Sequence, residues 1–159
     1  MDKWDERLMA LAQHIGGWSQ DRSRKVGCVI VSPGNDILAT GFNGFPRGID
    51  DSVEERHERP AKYLWTEHAE RNAIFNATRI GVRLLGASMY LPWFPCVDCA
   101  RAIIQVGIVK LIAFRPDLND DTWGNTFAVS SSLLTEAGVE VSYMESKSYL
   151  GSVIRDQNC

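Results

Sequence analysis

Apolar residues recur at intervals of three and four positions over the first eighteen residues of the chain. At this spacing they fall on one face of an α-helix: Trp4, Leu8, Leu11, Ile15 and Trp18. Consecutive glycines at positions 16 and 17 indicate where this helix ends. The pattern therefore predicts an amphipathic N-terminal helix whose apolar face packs against the core.

The next apolar positions form two short runs, at residues 26–31 and 37–42, on either side of the turn-forming segment 32–36. Two such runs joined by a short turn predict a β-hairpin. Residues 41–48 contain three glycines and a proline, which predicts a sharply folded loop after the second strand. Residues 50–62 are charged and lack periodicity, so we expect a surface loop there.

From residue 66 onward, helical and strand-like patterns alternate. We predict helices at 66–81, 95–107 and 127–137, and strands at 88–91, 109–114 and 139–143. Thr66 is the expected N-cap of the first of these helices, and Pro95 the expected first residue of the second. Strand, helix and strand in this order favour parallel pairing with a right-handed crossover.

The fold class that these elements predict is α/β. We expect a three-layer α/β/α arrangement around a mixed five-stranded sheet, with residues 1–159 in a single domain. The segment from about residue 146 to 159 is polar and is expected to form a C-terminal tail.

The amino-acid composition and net charge limit the kinds of partner and the cellular compartment that we expect for this chain. The hydrophobic fraction of 45% and charged fraction of 23% are ordinary for a globular chain. The net charge of −3 provides no general attraction to nucleic acid, and no stretch of 18 apolar residues is present to span a membrane. The N-terminus does not resemble a signal peptide, and four cysteines do not suggest a disulfide framework, so we expect a reducing cytoplasm.

Three residues have the chemistry of zinc ligands: His68, Cys96 and Cys99. Three protein ligands leave a fourth position open, as in catalytic zinc sites, where the bound water has a pKa of roughly 7. Glu70 lies two residues after His68 and would place a carboxylate beside that water, able to pass its proton to a departing amine. The two cysteines would lie at i and i+3 near a helix start, which favours the thiolate form.

Each part of this pattern has another interpretation. Cys96-x-x-Cys99 alone could be a structural zinc clip or a redox pair, and His68 alone could be a hydrogen-bonded core residue. Cys28 lies in an apolar strand pattern and is interpreted as a small buried residue. Taken together, His-x-Glu followed by Pro-Cys-x-x-Cys is the signature of zinc-dependent nucleobase deaminases.

With the loop at Gly41 included, the chain resembles the deoxycytidylate deaminase family, which converts dCMP to dUMP. The resemblance rests on four segments: Val26-Gly27 at the start of the hairpin, Gly41-Phe42-Asn43-Gly44-x-Pro46-x-Gly48, His68-Ala69-Glu70-x-Asn72-Ala73-Ile74 and Phe94-Pro95-Cys96-x-x-Cys99-Ala100. It implies a cytidine-deaminase-like fold, one zinc ion per chain and Glu70 as the proton carrier. Residues 116–123 lack a Tyr-His-Asp-like stretch that the family commonly has.

The same resemblance implies contacts to a nucleotide substrate. Asn43 would touch the sugar and base, although an asparagine that only shapes a turn is the alternative. The main-chain N–H of Ala69 would hold the pyrimidine carbonyl, and Phe94 would lie near the exocyclic amine. Trp93 and Phe94 would wall the pocket, although aromatic residues here could equally belong to the core.

Family members are often homohexamers that dCTP activates and dTTP inhibits, with Mg²⁺ accompanying the nucleotide effector. The resemblance places the loop that contains Gly41 and Gly44 near that effector. It also links Arg79 to the control, although a solvated cation near a helix C-terminus is an equal interpretation.

Hydrogen-bond donors near the predicted hairpin, most of them basic, are the candidates for binding a substrate phosphate. Ser23, Arg24 and Lys25 precede the first strand, and Arg47 follows the second. Each of these could instead be a solvated surface group.

Two other functions stay open at this level. One is a deaminase of guanine or of tRNA adenosine, although a tRNA enzyme is expected to carry a basic patch. The other is a zinc-stabilised binding module without catalytic activity, which predicts a fourth protein ligand.

Overall fold

The computed structural model describes residues 3–146 and contains a five-stranded sheet in the order β2-β1-β3-β4-β5. The strands are β1 (Gly27–Val31), β2 (Ile37–Phe42), β3 (Ser88–Leu91), β4 (Lys110–Phe114) and β5 (Glu140–Met144). β1 pairs antiparallel with both β2 and β3, whereas β3, β4 and β5 run parallel. The predicted hairpin and the mixed sheet are therefore confirmed. The predicted C-terminal tail lies, apart from its first residue, outside the described residues.

Five helices accompany this sheet within residues 3–146. They are α1 (Lys3–Gly16), α2 (Lys62–Trp65), α3 (Ala69–Arg79), α4 (Val97–Val106) and α5 (Gly124–Glu136). A single 3-10 turn, Glu54–Arg56, lies in the segment 50–62 predicted as a surface loop, and the short α2 begins at the last residue of that segment. None of the described helices is long and apolar enough to cross a membrane.

Alternation of side chains along the strands produces the three layers. Cys28 and Ile30 of β1 face one core, together with α3, α4 and α5. Val29 and Val31, the intervening residues, face a second core that α1 covers. Since successive strand side chains point to opposite faces, a wholly buried strand such as β1 must be covered on both sides.

The apolar face predicted for α1 is correct at Leu8 and Ile15 but wrong at its two tryptophans. Trp4 is 45% exposed and Trp18 is 55% exposed. Trp18 lies beyond the end of α1 and packs edge-on against Phe42, with ring centroids 6.2 Å apart. Small residues decide the packing of α1 instead, because a Cβ at Gly27 would overlap the carbonyl oxygen of Ala12.

Two helix starts differ from the prediction. Thr66 ends α2 rather than starting α3, and its N–H donates to the carbonyl of Lys62 at 2.9 Å. α3 starts at Ala69, with His68 in the N-cap position. α4 starts at Val97, two residues later than predicted, with Cys96 as its N-cap. The physical reason is that both cap residues have extended backbones, with ψ of 155° for His68 and 172° for Cys96.

Candidate metal centre and adjoining cleft

The three predicted ligands lie together. Sγ of Cys96 and Sγ of Cys99 are each 3.5 Å from Nδ1 of His68, and all the candidate ligand atoms lie within 4.8 Å of one another. Within residues 3–146, these three side chains form the group whose ligand atoms are close enough together to hold a metal ion. The sequence places them 28 and 31 residues apart, and the packing of α3 against α4 brings them into contact.

Their spacing fits zinc. Zn–S bonds of about 2.3 Å and Zn–N bonds of about 2.0–2.1 Å, at a tetrahedral angle, place sulfur and nitrogen about 3.5–3.6 Å apart. The observed distances of 3.5 Å from Nδ1 to each Sγ match that geometry. The residues present therefore fit a zinc ion.

The ligand positions follow from the two helix starts. His68 and Cys96 are the N-caps of α3 and α4, and Cys99 lies in the first turn of α4. Free N–H groups and the positive end of the helix dipole favour negative charge at these positions. Two helix N-termini therefore adjoin the same pair of cysteines, an arrangement that favours thiolate ligands to a metal.

The three groups also shift one another's protonation. The hydrogen bond from Cys99 lowers the pKa of Cys96 to about 4, so this sulfur is a thiolate at neutral pH. The hydrogen bond to Cys96 raises the pKa of His68 to about 8, while contact with Cys96 raises the pKa of Cys99. Metal binding to this group would release the remaining protons, because only the deprotonated forms are ligands.

Glu70 is buried in the first turn of α3, one residue after the helix start. Burial raises the pKa of its carboxyl, although the charge of His68 opposes the increase. The side chain lines the same cleft as His68 and Cys96. A carboxyl with a raised pKa beside a candidate metal centre has the placement that a proton carrier needs.

Glu67 and Arg71 support the metal ligands from the outer side. One carboxylate oxygen of Glu67 accepts hydrogen bonds from the N–H of His68 at 3.0 Å and from Nε of Arg71 at 2.6 Å. Despite partial burial, which acts the other way, the hydrogen bond to Glu67 and the thiol charges raise the pKa of Arg71. Neither residue was identified from the sequence, and their i, i+4 spacing across the start of α3 was the available signal.

Asn43 holds the loop that precedes β1. Its Oδ1 accepts the N–H of Val26 at 2.8 Å, and its Nδ2 donates to the carbonyl of Arg24 at 2.9 Å. The side chain is buried and also lines the cleft. These two bonds give Asn43 a structural role in the loop. One N–H of its side-chain amide remains to bind a ligand.

The cleft beside the metal ligands, here called the metal-site cleft, has aromatic walls. Trp93 and Phe94, both predicted, line it, and the ring of Phe94 lies 5.8 Å from that of Phe127. Trp123, Phe127 and Tyr63 complete the wall and were missed in the sequence. Asp120 accepts the N–H of Trp123 at 2.8 Å, which turns the irregular segment before α5 toward the cleft.

The predicted basic residues divide into two groups. Arg24 lines the metal-site cleft, but Lys25 and Arg47 do not. Arg47 instead donates to Oδ1 of Asn76 at 2.8 Å on the exposed side of α3. Two further cations, Arg59 and Lys62, line the cleft from the segment 50–62, which the sequence predicts to be a surface loop.

The glycine-rich loop encloses a second cavity, here called the loop cavity. Its lining includes Trp18, Phe42, Gly44, Phe45, Arg47 and His57. Gly41 lies outside the lining, because it is buried against α3 where a Cβ would overlap the backbone of Ala69 and Ala73. Arg79 is exposed in the last turn of α3 and is also absent from the lining. Of the predicted effector residues, only Gly44 faces this cavity.

Comparison with known proteins gives concordant results. Residues 2–115 match the family model described as the cytidine and deoxycytidylate deaminase zinc-binding region. The chain is 42% identical over 147 residues to an uncharacterized deaminase of Aliivibrio fischeri, and the alignment covers 91% of this chain and 95% of the relative. It is 37% identical over 123 residues to deoxycytidylate deaminase of Homo sapiens, covering 74% and 68% of the two chains.

Solved structures agree with these sequence matches. The dCMP deaminase of the cyanophage S-TIM5, in complex with dCMP and dUMP, superimposes with a TM-score of 0.73 and 27% identity. The match covers 91% of this chain and 99% of the phage chain, which confirms the predicted fold class. With the matched family model and relatives above 30% identity, the chain belongs to the cytidine and deoxycytidylate deaminase family.

Proposed function

We propose that this protein is a zinc-dependent hydrolase that converts dCMP and water to dUMP and ammonia. The observation that carries the proposal is the placement of His68, Cys96 and Cys99 with the buried Glu70 in one cleft. Family membership supports the reaction class. The relatives named deoxycytidylate deaminase, and the phage enzyme that binds dCMP and dUMP, support the substrate.

His68, Cys96 and Cys99 hold one zinc ion in this proposal. When bound, zinc acts as a Lewis acid and lowers the pKa of a water molecule from about 16 to about 7. The carboxylate of Glu67 accepts the backbone N–H of His68 and so fixes the position of that residue. The positive charge of Arg71 balances the negative charge of the sulfur atoms of Cys96 and Cys99. These contacts keep the ligands in place without using the side of the centre that faces the cleft.

Glu70 moves the protons. In the reaction a C–O bond forms at C4 of the pyrimidine, and the bond from C4 to the exocyclic nitrogen breaks. The carboxylate of Glu70 accepts one proton from the attacking water and delivers it to the ring nitrogen. It then accepts the second proton, from the hydroxyl group now on C4, and delivers it to the departing amine, which leaves as ammonia. The raised pKa of Glu70 suits this exchange, because a carrier must both accept and release a proton near neutral pH.

The base occupies the aromatic part of the metal-site cleft. The N–H of Ala69, in the first turn of α3, has no intrahelical partner and can donate to the pyrimidine carbonyl. Phe94 lies beside the exocyclic amine, Trp93 covers the ring, and the remaining N–H of Asn43 reaches the sugar. These contacts orient the pyrimidine so that C4 faces Glu70.

A substrate panel tests the proposal. Catalytic efficiency is measured on dCMP, CMP, deoxycytidine and guanine under one set of conditions, with ammonia release as the signal. We expect dCMP to be the best substrate by at least an order of magnitude over deoxycytidine, because a charge-assisted phosphate contact contributes about 1.5–3 kcal/mol. Equal efficiency on deoxycytidine or guanine would reject dCMP as the substrate and leave only the deaminase chemistry.

We also propose that the loop cavity binds a nucleotide effector, with dCTP and Mg²⁺ as activator and dTTP as inhibitor. The cavity combines aromatic surfaces from Trp18, Phe42 and Phe45 with the positive charge of Arg47, a composition suited to a base and its phosphates. Two exposed apolar side chains, Phe75 on α3 and Ile80 directly after it, support a homo-oligomer, a hexamer on the family pattern. We propose the reducing cytoplasm as its location.

A further inference from the structure

Two arginines at the metal-site cleft have no acidic partner in contact. Arg24 and Arg59 both line the cleft, and neither forms an ion pair with any residue among those the structure describes. Burial and the charge of Arg59 lower the pKa of Arg24, while Asp120 and Asp21 oppose this through space. Two mutually repelling guanidinium groups at one wall favour a bound anion.

The side-chain conformation of Arg24 leaves its guanidinium group available to bind such an anion. Its guanidinium carbon lies 3.3 Å from the centroid of the Trp93 ring, so the two planes are in contact. Stacking uses the face of the guanidinium and leaves its N–H edges free to donate. Arg59 is exposed and lies 6.0 Å from the centroid of the Tyr63 ring, at the same cleft.

A buried ion pair connects the two segments that carry these arginines. Nζ of Lys62 lies 2.9 Å from Oδ1 and 2.8 Å from Oδ2 of Asp21, and both side chains are less than 10% exposed. Oδ1 of Asp21 also accepts the N–H of Ser23 at 2.8 Å and of Arg24 at 3.0 Å. Asp21 therefore holds the backbone of Arg24, while Lys62 lies three residues after Arg59.

Charge balance is consistent with a dianionic ligand. Outside the metal centre, the cleft is lined by three cations, Arg24, Arg59 and Lys62, and by one carboxylate, Asp21. Asp21 neutralises Lys62 by direct contact, which leaves two positive charges. A phosphate monoester carries about two negative charges at neutral pH.

We propose that Arg24 and Arg59 form a clamp that binds the 5′-phosphate of the substrate from two sides. In this proposal the Asp21–Lys62 ion pair positions the two chain segments that carry these arginines. This inference rests on the proposed function, because it assigns residues to the phosphate of the proposed substrate. It makes Arg59, which lies 11 residues before Glu70 in a charged loop, a determinant of nucleotide over nucleoside.

Arg24→Gln and Arg59→Gln test the clamp. Each variant is expected to lower kcat/KM on dCMP by about 10–100-fold, the loss of one charge-assisted contact, and to change kcat/KM on deoxycytidine by no more than about threefold. Arg59→Lys should recover part of the loss, because it keeps the charge but not the bidentate geometry. Arg83→Gln, which removes one exposed positive charge away from both cavities, is the matched control.

Binding without turnover provides a second measurement. Calorimetric titration of the zinc-loaded protein should show that both glutamine variants weaken dUMP binding about 10–100-fold and leave deoxyuridine binding unchanged. Equal weakening of dUMP and deoxyuridine, or no weakening of either, would overturn the clamp. If the parent protein shows no preference for dCMP over deoxycytidine, the proposed function has failed; preference in the parent that persists in both variants rejects only the clamp.

Asp21→Asn and Lys62→Met test the positioning role. Asn keeps an acceptor for the N–H groups of Ser23 and Arg24, and Met keeps the volume of the lysine stem. Because either single change leaves a buried charge unpaired, the double variant is prepared alongside, and folding is checked by thermal unfolding. We expect KM for dCMP to rise about tenfold with kcat and deoxycytidine turnover little changed. Equal losses on both substrates would mean that the pair is structural only.

Discussion

At the scale of single residues, the metal ligands and the proton carrier have different surroundings although they are neighbours. Cys99 and Glu70 are buried, whereas His68 and Cys96 are half-buried at the cleft. A hydrogen bond from Cys99 lowers the pKa of Cys96 to about 4, while burial raises the pKa of the Glu70 carboxyl. The metal ligands and Glu70 can therefore be tested separately by substitution.

Glu70→Gln should keep the fold and zinc while removing most of the activity. Gln is nearly isosteric but cannot carry a proton, and general acid–base catalysis contributes typically about 10²–10⁴-fold to kcat. The measurement is kcat on dCMP together with zinc content by elemental analysis. Cys99→Ala is the contrasting variant, expected to lose the metal as well, and Cys28→Ala, also buried but not a member of the ligand set, should retain it. Turnover of Glu70→Gln within a few-fold of the parent would remove Glu70 from the mechanism.

At the scale of elements, the position of α3 depends on its close contact with β2. Gly41 lies in β2 where a Cβ would overlap the backbone of Ala69 and Ala73 in α3. Side-chain amides of Asn72 and Asn76 donate to the carbonyls of Phe42 at 2.8 Å and Thr40 at 2.7 Å, which fixes the helix along the strand. The first turn of α3 carries Glu70, so this contact sets the depth of the proton carrier.

Gly41→Ala should therefore reduce both stability and activity. The added methyl group must push α3 away from β2, and overpacking of this kind reduces the free energy of unfolding by about 1–3 kcal/mol. Denaturant unfolding and kcat on dCMP are the measurements. Gly34→Ala, in the open turn between β1 and β2, is the control and should change the free energy by less than about 0.5 kcal/mol. Unchanged stability in Gly41→Ala would show that the contact between α3 and β2 is not limiting.

At the scale of the whole molecule, the metal-site cleft and the loop cavity share a wall. Asp21, Lys62 and Thr66 line both of them. Thr66 immediately precedes Glu67, which pairs with Gly44 across an isolated bridge with N···O distances of 2.8 and 3.0 Å. A ligand in the loop cavity would therefore act on the segment that leads directly to His68.

If the loop cavity is an effector site, dCTP with Mg²⁺ should raise activity at low dCMP, and dTTP should lower it. An effector acts through different affinities for two states, so the substrate curve should become less sigmoidal with the activator. Initial rates across dCMP concentrations measure this, with sedimentation recording the oligomeric state under the same conditions. Arg47→Gln should weaken the dCTP response and leave basal turnover unchanged. A hyperbolic curve that neither nucleotide alters would contradict the proposal.

The sequence by itself determined the elements and the reaction centre. Residues two or three positions apart, such as His68 with Glu70 and Cys96 with Cys99, keep a nearly fixed geometry at a helix start, so their spacing predicts their chemistry. The alternating and unbroken apolar runs likewise predicted the hairpin and the parallel strands, because burial on both faces of a sheet requires them.

Tertiary structure alone decided the walls of the cleft. Lys62 meets Asp21 across 41 residues of sequence, and Trp123 reaches His68 from the segment before α5, with ring centroids 6.4 Å apart. Local patterns carry no information on such pairs, since a charged loop with a buried ion pair has the same composition as a solvated one. The same limit explains Trp18, whose helical spacing predicted burial although the helix ends before it. The sequence therefore predicts the reaction, and packing between distant segments decides which side chains surround the substrate.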